Sequence, residues 1–107
     1  MKTRHGLPPR TERKIRDVLA RHPEIEKAVL YGSRARGNFK SGSDIDLTLV
    51  GEKLDSKILG QLDWELDDLL LPYTIDLSLF RELNHPELIE HIQRVGIVFY
   101  ERATTNV

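Results

Sequence analysis

Apolar and polar positions alternate in two places along the chain, and with the same phase. In residues 44–50, DIDLTLV, Ile45, Leu47 and Leu49 fall on one side and Asp44, Asp46 and Thr48 on the other. Residues 74–80, TIDLSLF, repeat this with Ile75, Leu77 and Leu79 against Thr74, Asp76 and Ser78. A period of two marks a strand with one buried face. The unbroken apolar run KAVLY, residues 27–31, stopped by Gly32, suits a buried strand, and IVFYE, residues 97–101, a last short one. Elsewhere the period is helical. Ile15, Val18 and Leu19 share a face over residues 12–21, with Thr11 placed as N-cap and Pro23 beyond the end. Ile58, Leu59, Leu62, Leu66, Leu69 and Leu70 do the same over residues 55–71, closed by Pro72. Pro86 opens a third helix carrying Leu88, Ile89 and Ile92, with Gly96 after its end. An extra helical turn is expected directly after Gly32, with Ser33 as its N-cap. The order α-β-β-α-β-α-β describes a small sheet packed on helices, an α/β (α+β) chain.

With 107 residues the chain is long enough for one compact domain and short for two, so residues 1–107 are expected to share a single core. Hydrophobic residues make up 39% and charged residues 31%, an ordinary globular balance. No run reaches the ~18 apolar residues that span a membrane, and the basic N-terminus lacks the apolar segment of a signal peptide. There is no cysteine, which leaves neither disulfides nor a thiolate metal site. The expectation is a cytoplasmic protein without a membrane partner. The net charge of −1 conceals an asymmetry: residues 1–16 hold six basic side chains and one acid, so the remainder carries −6. So acidic a body is not expected to hold duplex nucleic acid stably, because that affinity comes from neutralising phosphates. Residues 1–10 read as a flexible basic arm.

The acids within the two alternating runs change the picture. Asp44 and Asp46, two apart on a strand, share a face at ~7 Å between Cα atoms and repel by roughly 2 kcal/mol at an effective dielectric of ~20. A solvated polar face would tolerate that. Asp76, however, stands at the matching position of the next alternating run. If the two strands are neighbours, three acids converge, and a divalent cation makes that favourable. An all-oxygen ligand set suggests Mg²⁺ or Mn²⁺, and such sites suit nucleotidyl transfer or phosphodiester cleavage. Upstream, Gly32 ends a strand just before a helical turn, where backbone N–H groups can receive a phosphate and glycine lets it come close. Arg34 and Arg36 are candidate phosphate ligands, against the alternative of surface arginines. No Walker A or G-x-G-x-x-G pattern is present.

GSRARG, five further residues, and then SDIDL together resemble the signature of the polymerase-β-type nucleotidyltransferase superfamily, and specifically its stand-alone minimal nucleotidyltransferases (MNT). The resemblance is specific from about Lys27 to Phe80. It implies a palm-like mixed sheet flanked by helices, with Asp44 and Asp46 as ligands of two Mg²⁺ ions. Asp76 is implied as a third, catalytic carboxylate that also orients the attacking hydroxyl. Gly32 and Ser33 are implied to hold the β- and γ-phosphates of ATP or another nucleoside triphosphate, and Arg34, Arg36 and Ser43 are counted with the nucleotide-binding set. Many minimal nucleotidyltransferases are similar to antitoxins paired with a helical HEPN-type toxin ribonuclease, in which AMP is transferred to a toxin tyrosine. The resemblance therefore implies a protein adenylyltransferase acting as an antitoxin, with the acceptor gripped by a partner or by a second copy in a homo-oligomer.

Two other readings share these residues. One is a non-catalytic nucleotide-binding antitoxin that neutralises its toxin by covering it. The other is a metal-dependent nuclease, which has no need of the Gly-Ser phosphate seat. Trp64 and Tyr73 are taken as core or rim packing and Tyr31 as core. RELNH, residues 81–85, reads as a turn, and His5, His22, His85 and His91 show no metal-ligand spacing.

Overall fold

A computed structural model describes residues 5–40 and 42–102. The chain runs α1 (Pro9–Ala20), β1 (Lys27–Tyr31), α2 (Ser33–Arg36), β2 (Ile45–Val50), α3 (Ser56–Asp67), β3 (Ile75–Leu79), a 3₁₀ turn (Phe80–Glu82), α4 (Pro86–Val95) and β4 (Ile97–Glu101). The four strands form one mixed sheet in the order β3-β2-β1-β4. β1 pairs antiparallel with both β2 and β4, whereas β2 and β3 run parallel, joined through α3. The small mixed sheet flanked by helices is the α+β architecture expected from the sequence.

One face of the sheet is the core. Leu30, Ile45, Leu47 and Phe99 meet Ile15, Val18 and Leu19 of α1 and Leu62 and Leu66 of α3, all within 3% of fully buried. Ile45 and Leu47 are positions that the alternation assigned inward, and the residues of α1 and α3 are ones that the helical period placed on one face. β4 carries a bulge opposite Ala28 and Val29, and the Phe99 carbonyl at that bulge accepts a hydrogen bond from Arg16 Nε at 2.9 Å. A side chain on α1 thereby fastens the irregular edge strand.

The helix ends differ from expectation for local reasons. α1 starts three residues earlier than predicted, with Pro9 in its first turn and Pro8, not Thr11, at the N-cap. Proline is well suited there, because a first-turn N–H has no helical partner. Of the basic arm, Met1–Arg4 lie outside the described residues, while Leu7 belongs to the core and His5 packs on Phe99 at 5.8 Å between ring centroids. α3 begins as its pattern suggests, with the Asp55 carboxylate accepting the Ile58 N–H at 2.9 Å. It stops at Asp67 rather than Leu71: Leu70 turns left-handed at φ +55° and is exposed. Leu71 precedes Pro72 and is thereby disfavoured from helical dihedrals. α4 opens with Pro86 and is capped by the His85 side chain. Gly96 after its end lies so close to Val29 that an added Cβ would come within 2.7 Å of that side chain. Since Val29 sits on the face of β1 opposite the core-facing Ala28 and Leu30, α4 covers the β1 end of the second sheet face. Among the described residues, no helix is long and apolar enough to cross a membrane.

Candidate active site

The second sheet face carries a row of three side chains. Tyr31 on β1 is registered against Asp46 on β2, and Asp46 against Asp76 on β3. Adjacent strands are ~4.8 Å apart, so the two acids are held side by side by the backbone ladder itself. Two residues further along, Thr48 and Ser78 are again in register, and the Ser78 hydroxyl lies 2.9 Å from that of Thr48. Thr48 is fully buried, whereas Asp46 is half-buried and Asp76 exposed, so the face opens towards the acids.

Asp46 is half-buried. Burial raises its pKa above the ordinary carboxylate value, and the negative charges of Asp76 and Asp44 raise it further, with His91 opposing them. Burial likewise raises the Tyr31 pKa, a hydrogen bond to Ser78 opposes that, and the charges of Asp46 and Asp76 add to it. The Tyr31 hydroxyl thus stays protonated beside the acids. Asp44 lies one residue before β2 and is exposed. The convergence expected from the sequence is therefore strict for Asp46 and Asp76 and looser for Asp44. Among the described residues, no three His, Asp or Glu side chains stand close enough to hold a metal ion together. The donor chemistry nonetheless fits a hard divalent cation: all three groups are carboxylates, and the burial and like charges that disfavour the ionised Asp46 are costs that such a cation would offset.

Gly32 joins this row to the turn before α2. Its dihedrals, φ +77° and ψ −155°, are open to glycine and strained for any other residue. A Cβ built there would stand 2.3 Å from Asp46 Oδ2. Glycine is required both by the turn and by the carboxylate lying against it. Gly32 itself occupies the N-cap position, without a side-chain cap, and Ser33 is the first helical residue rather than the cap. The first N–H groups of a helix lack helical partners, so Ser33 brings such a donor to within one residue of the glycine that touches Asp46. α2 closes after one turn with Gly37 left-handed at φ +89°.

The remaining candidates separate. Arg34 is 1% exposed. Its Nε and Nη2 donate to the Ser43 carbonyl at 3.1 and 2.9 Å, and its Nη1 to the His5 carbonyl at 2.9 Å. The guanidinium also lies 5.3 Å from the Phe39 ring centroid and 5.0 Å from that of Tyr73. It fastens the loop that returns to Asp44. Ser43 takes part in the same loop, its hydroxyl accepting the Lys40 N–H at 2.8 Å. Arg36, in the last turn of α2, is exposed.

One residue that sequence reasoning set aside stands within the site. His91 Nε2, on α4, accepts the Gly32 N–H at 3.2 Å, and the His91 ring meets Tyr31 edge-on at 6.4 Å between centroids. The sequence signal was there, since His91 precedes the buried Ile92 on an apolar helix face, but metal-ligand spacing was the wrong criterion for it.

Residues 13–105 match the family described as Polymerase beta, Nucleotidyltransferase. The chain belongs to this family. It is similar to a chain of a solved toxin–antitoxin assembly with AMP-PNP, at a TM-score of 0.68 and 25% identity, covering 85% of this chain and 73% of that one. It also shares its fold with a chain of the MntA–HepT toxin–antitoxin (TM-score 0.65, 22% identity, covering 89% of this chain and 74% of that one). A third such likeness is to a chain of the complex of tri-AMPylated Shewanella oneidensis HEPN toxin with MNT antitoxin (TM-score 0.64, 22% identity, covering 86% and 71%). No curated protein matches the chain.

Proposed function

We propose that this protein is a minimal nucleotidyltransferase that transfers AMP from ATP to a hydroxyl on a partner protein, and that it acts in this way as an antitoxin. The observation that carries the reading is the contact between Gly32 and Asp46. The phosphate turn and the carboxylate row are not separate features but touch, and a Cβ between them would collide with Asp46 Oδ2 at 2.3 Å. A seat for phosphate beside a pair of in-register acids is the arrangement that nucleotidyl transfer needs and that phosphodiester cleavage does not.

In this reading the backbone N–H groups that follow Gly32, beginning with that of Ser33, hold the terminal phosphates and aim the α-phosphorus at the acids. Asp76, exposed on the edge strand, orients the acceptor hydroxyl and takes its proton. The hydroxyl oxygen forms a bond to the α-phosphorus, the bond from that phosphorus to the bridging oxygen breaks, and pyrophosphate leaves. Asp46 and Asp76, in register on β2 and β3, would hold Mg²⁺, with Asp44 joining them from just before β2, and the ion would supply charge neutralisation for the phosphates. The likeness to a toxin–antitoxin chain solved with AMP-PNP supports ATP as donor and a toxin as partner. The tri-AMPylated HEPN toxin found in complex with an MNT antitoxin makes a HEPN-type toxin the first acceptor to test.

The test is incubation of the protein with Mg²⁺, labelled ATP and its HEPN-type partner. Label should pass to the partner and be lost with Asp46→Asn. Absence of transfer, or transfer undiminished in that variant, would overturn the reading. An Asp44→Asn/Asp46→Asn protein that still silences the partner would favour neutralisation by simple binding.

A further inference from the structure

The Gly32 N–H is held by an imidazole that comes from the far end of the chain, and no other part of the site accounts for it. His91 reaches from α4, 59 residues away, to accept this N–H at 3.2 Å. The same ring stands edge-on to Tyr31, the residue before Gly32 and the register partner of Asp46. Gly32 is thus fixed from two directions. The Asp46 carboxylate lies against its Cα, and the imidazole holds its nitrogen.

The bond uses Nε2 of His91 as an acceptor, a role that a ring nitrogen fills through its lone pair. Nothing forces α4 to supply this group. Ile92 is the one residue of α4 that is fully buried, and Gly96 brings the end of the helix onto Val29. Beside these apolar contacts, the imidazole of α4 reaches the backbone group that sets the turn.

We propose that His91 is a positioning residue of the triphosphate seat. By accepting the Gly32 N–H, it holds the turn in the glycine-only conformation that presents the adjoining N–H groups to the phosphates. It keeps this bond while the nucleotide is bound, so the phosphates are held by the groups that follow Gly32. This rests on the nucleotidyltransferase reading above and adds α4 to it: the helix orders the phosphate side of the site, while β2 and β3 order the acid side.

Binding of ATP with Mg²⁺, measured by titration calorimetry on the intact chain without an acceptor, tests this with three substitutions. His91→Phe keeps a ring against Tyr31 but has no acceptor, and should weaken ATP about tenfold, the effect of one lost hydrogen bond, with little change in melting temperature. His91→Gln places a carbonyl oxygen near the position of Nε2 and should restore affinity to within about twofold. His91→Asn, whose oxygen falls at the position of Nδ1, should not. If His91→Phe binds ATP as tightly as the parent protein, or more tightly, the inference fails, because the phosphate then takes the Gly32 N–H for itself. It fails too if all three substitutions weaken binding in step with a fall in melting temperature, as a purely structural residue would. A parent protein that binds no ATP at all overturns the nucleotidyltransferase reading, and this inference with it.

Discussion

The two faces of β2 are built to opposite rules. On one, Ile45, Leu47 and Leu49 are buried to within 1% among apolar neighbours. On the other, one residue away in each case, Asp46 and Thr48 are placed by register against Asp76 and Ser78. The inward face gains stability from every group it hides. The outward face gives some up, because the burial and neighbouring charges at Asp46 disfavour its ionised form. A strand that tolerates such a cost on one side does so because the other side is well filled, and the two faces should respond to mutation in opposite ways.

The largest effect expected is on chemistry alone. Asp46→Asn should lower AMP transfer at least about 1,000-fold, on the order of 4 kcal/mol in the barrier, while thermal denaturation shows no loss of stability. A variant that both melts lower and loses activity would break the contrast between the faces. Leu47→Ala, the next residue, should do the reverse. It should destabilise by roughly 3 kcal/mol in chemical denaturation, through lost burial and the cavity left behind, and the folded fraction should keep its transfer rate.

Two substitutions bridge the faces. Arg34→Lys should destabilise by about 2 kcal/mol, since a single ammonium cannot reproduce the planar fork that serves the Ser43 and His5 carbonyls. ATP affinity of the folded protein should fall much less than in Gly32→Ala. Gly32→Ala should cost roughly 1–3 kcal/mol in backbone strain alone and displace Asp46, so it should also reduce transfer.

The smallest effect is in pH dependence. The folded pKa of Asp46 lies above its unfolded value, so its ionisation withdraws stability as pH rises through the carboxylate range. Asp46→Asn should therefore melt slightly above the parent protein near pH 7. That gap should close as pH falls below about 4, where the carboxyl is protonated in both states. A gap that widens towards acid would mean the shift has the opposite sign.

What could be read from the sequence follows the range of the interactions. β1 and β4 were bounded to the residue, because an apolar run against a glycine is a local signal. The matched phases of DIDLTLV and TIDLSLF carried the acids and the hydroxyl pair Thr48 and Ser78 together. Parallel pairing in register was another matter, because alternation says which face a residue takes but not which strand lies beside it. Arg34 was legible as a cation near the site and not as a buried one. What buries it is the return of a loop nine residues on and the arrival of His5 from before α1. His91 depended on the packing of α4 over β1, which no spacing within α4 could reveal.

The parallel join through α3 has a consequence for anyone who would rebuild this protein. The gap between Asp46 and Asp76 is set by the ladder of β2 and β3, and α3 serves as a strut whose length the acids do not feel. Removing a whole turn from α3, with its loops adjusted, should leave the acids facing each other. Deleting one residue ahead of Asp76 within β3 should turn it to the apolar side and empty the site at a stroke. The spacing of the two acids therefore tolerates redesign of α3 in whole helical turns that keep Leu62 and Leu66 on the core, and resists it residue by residue.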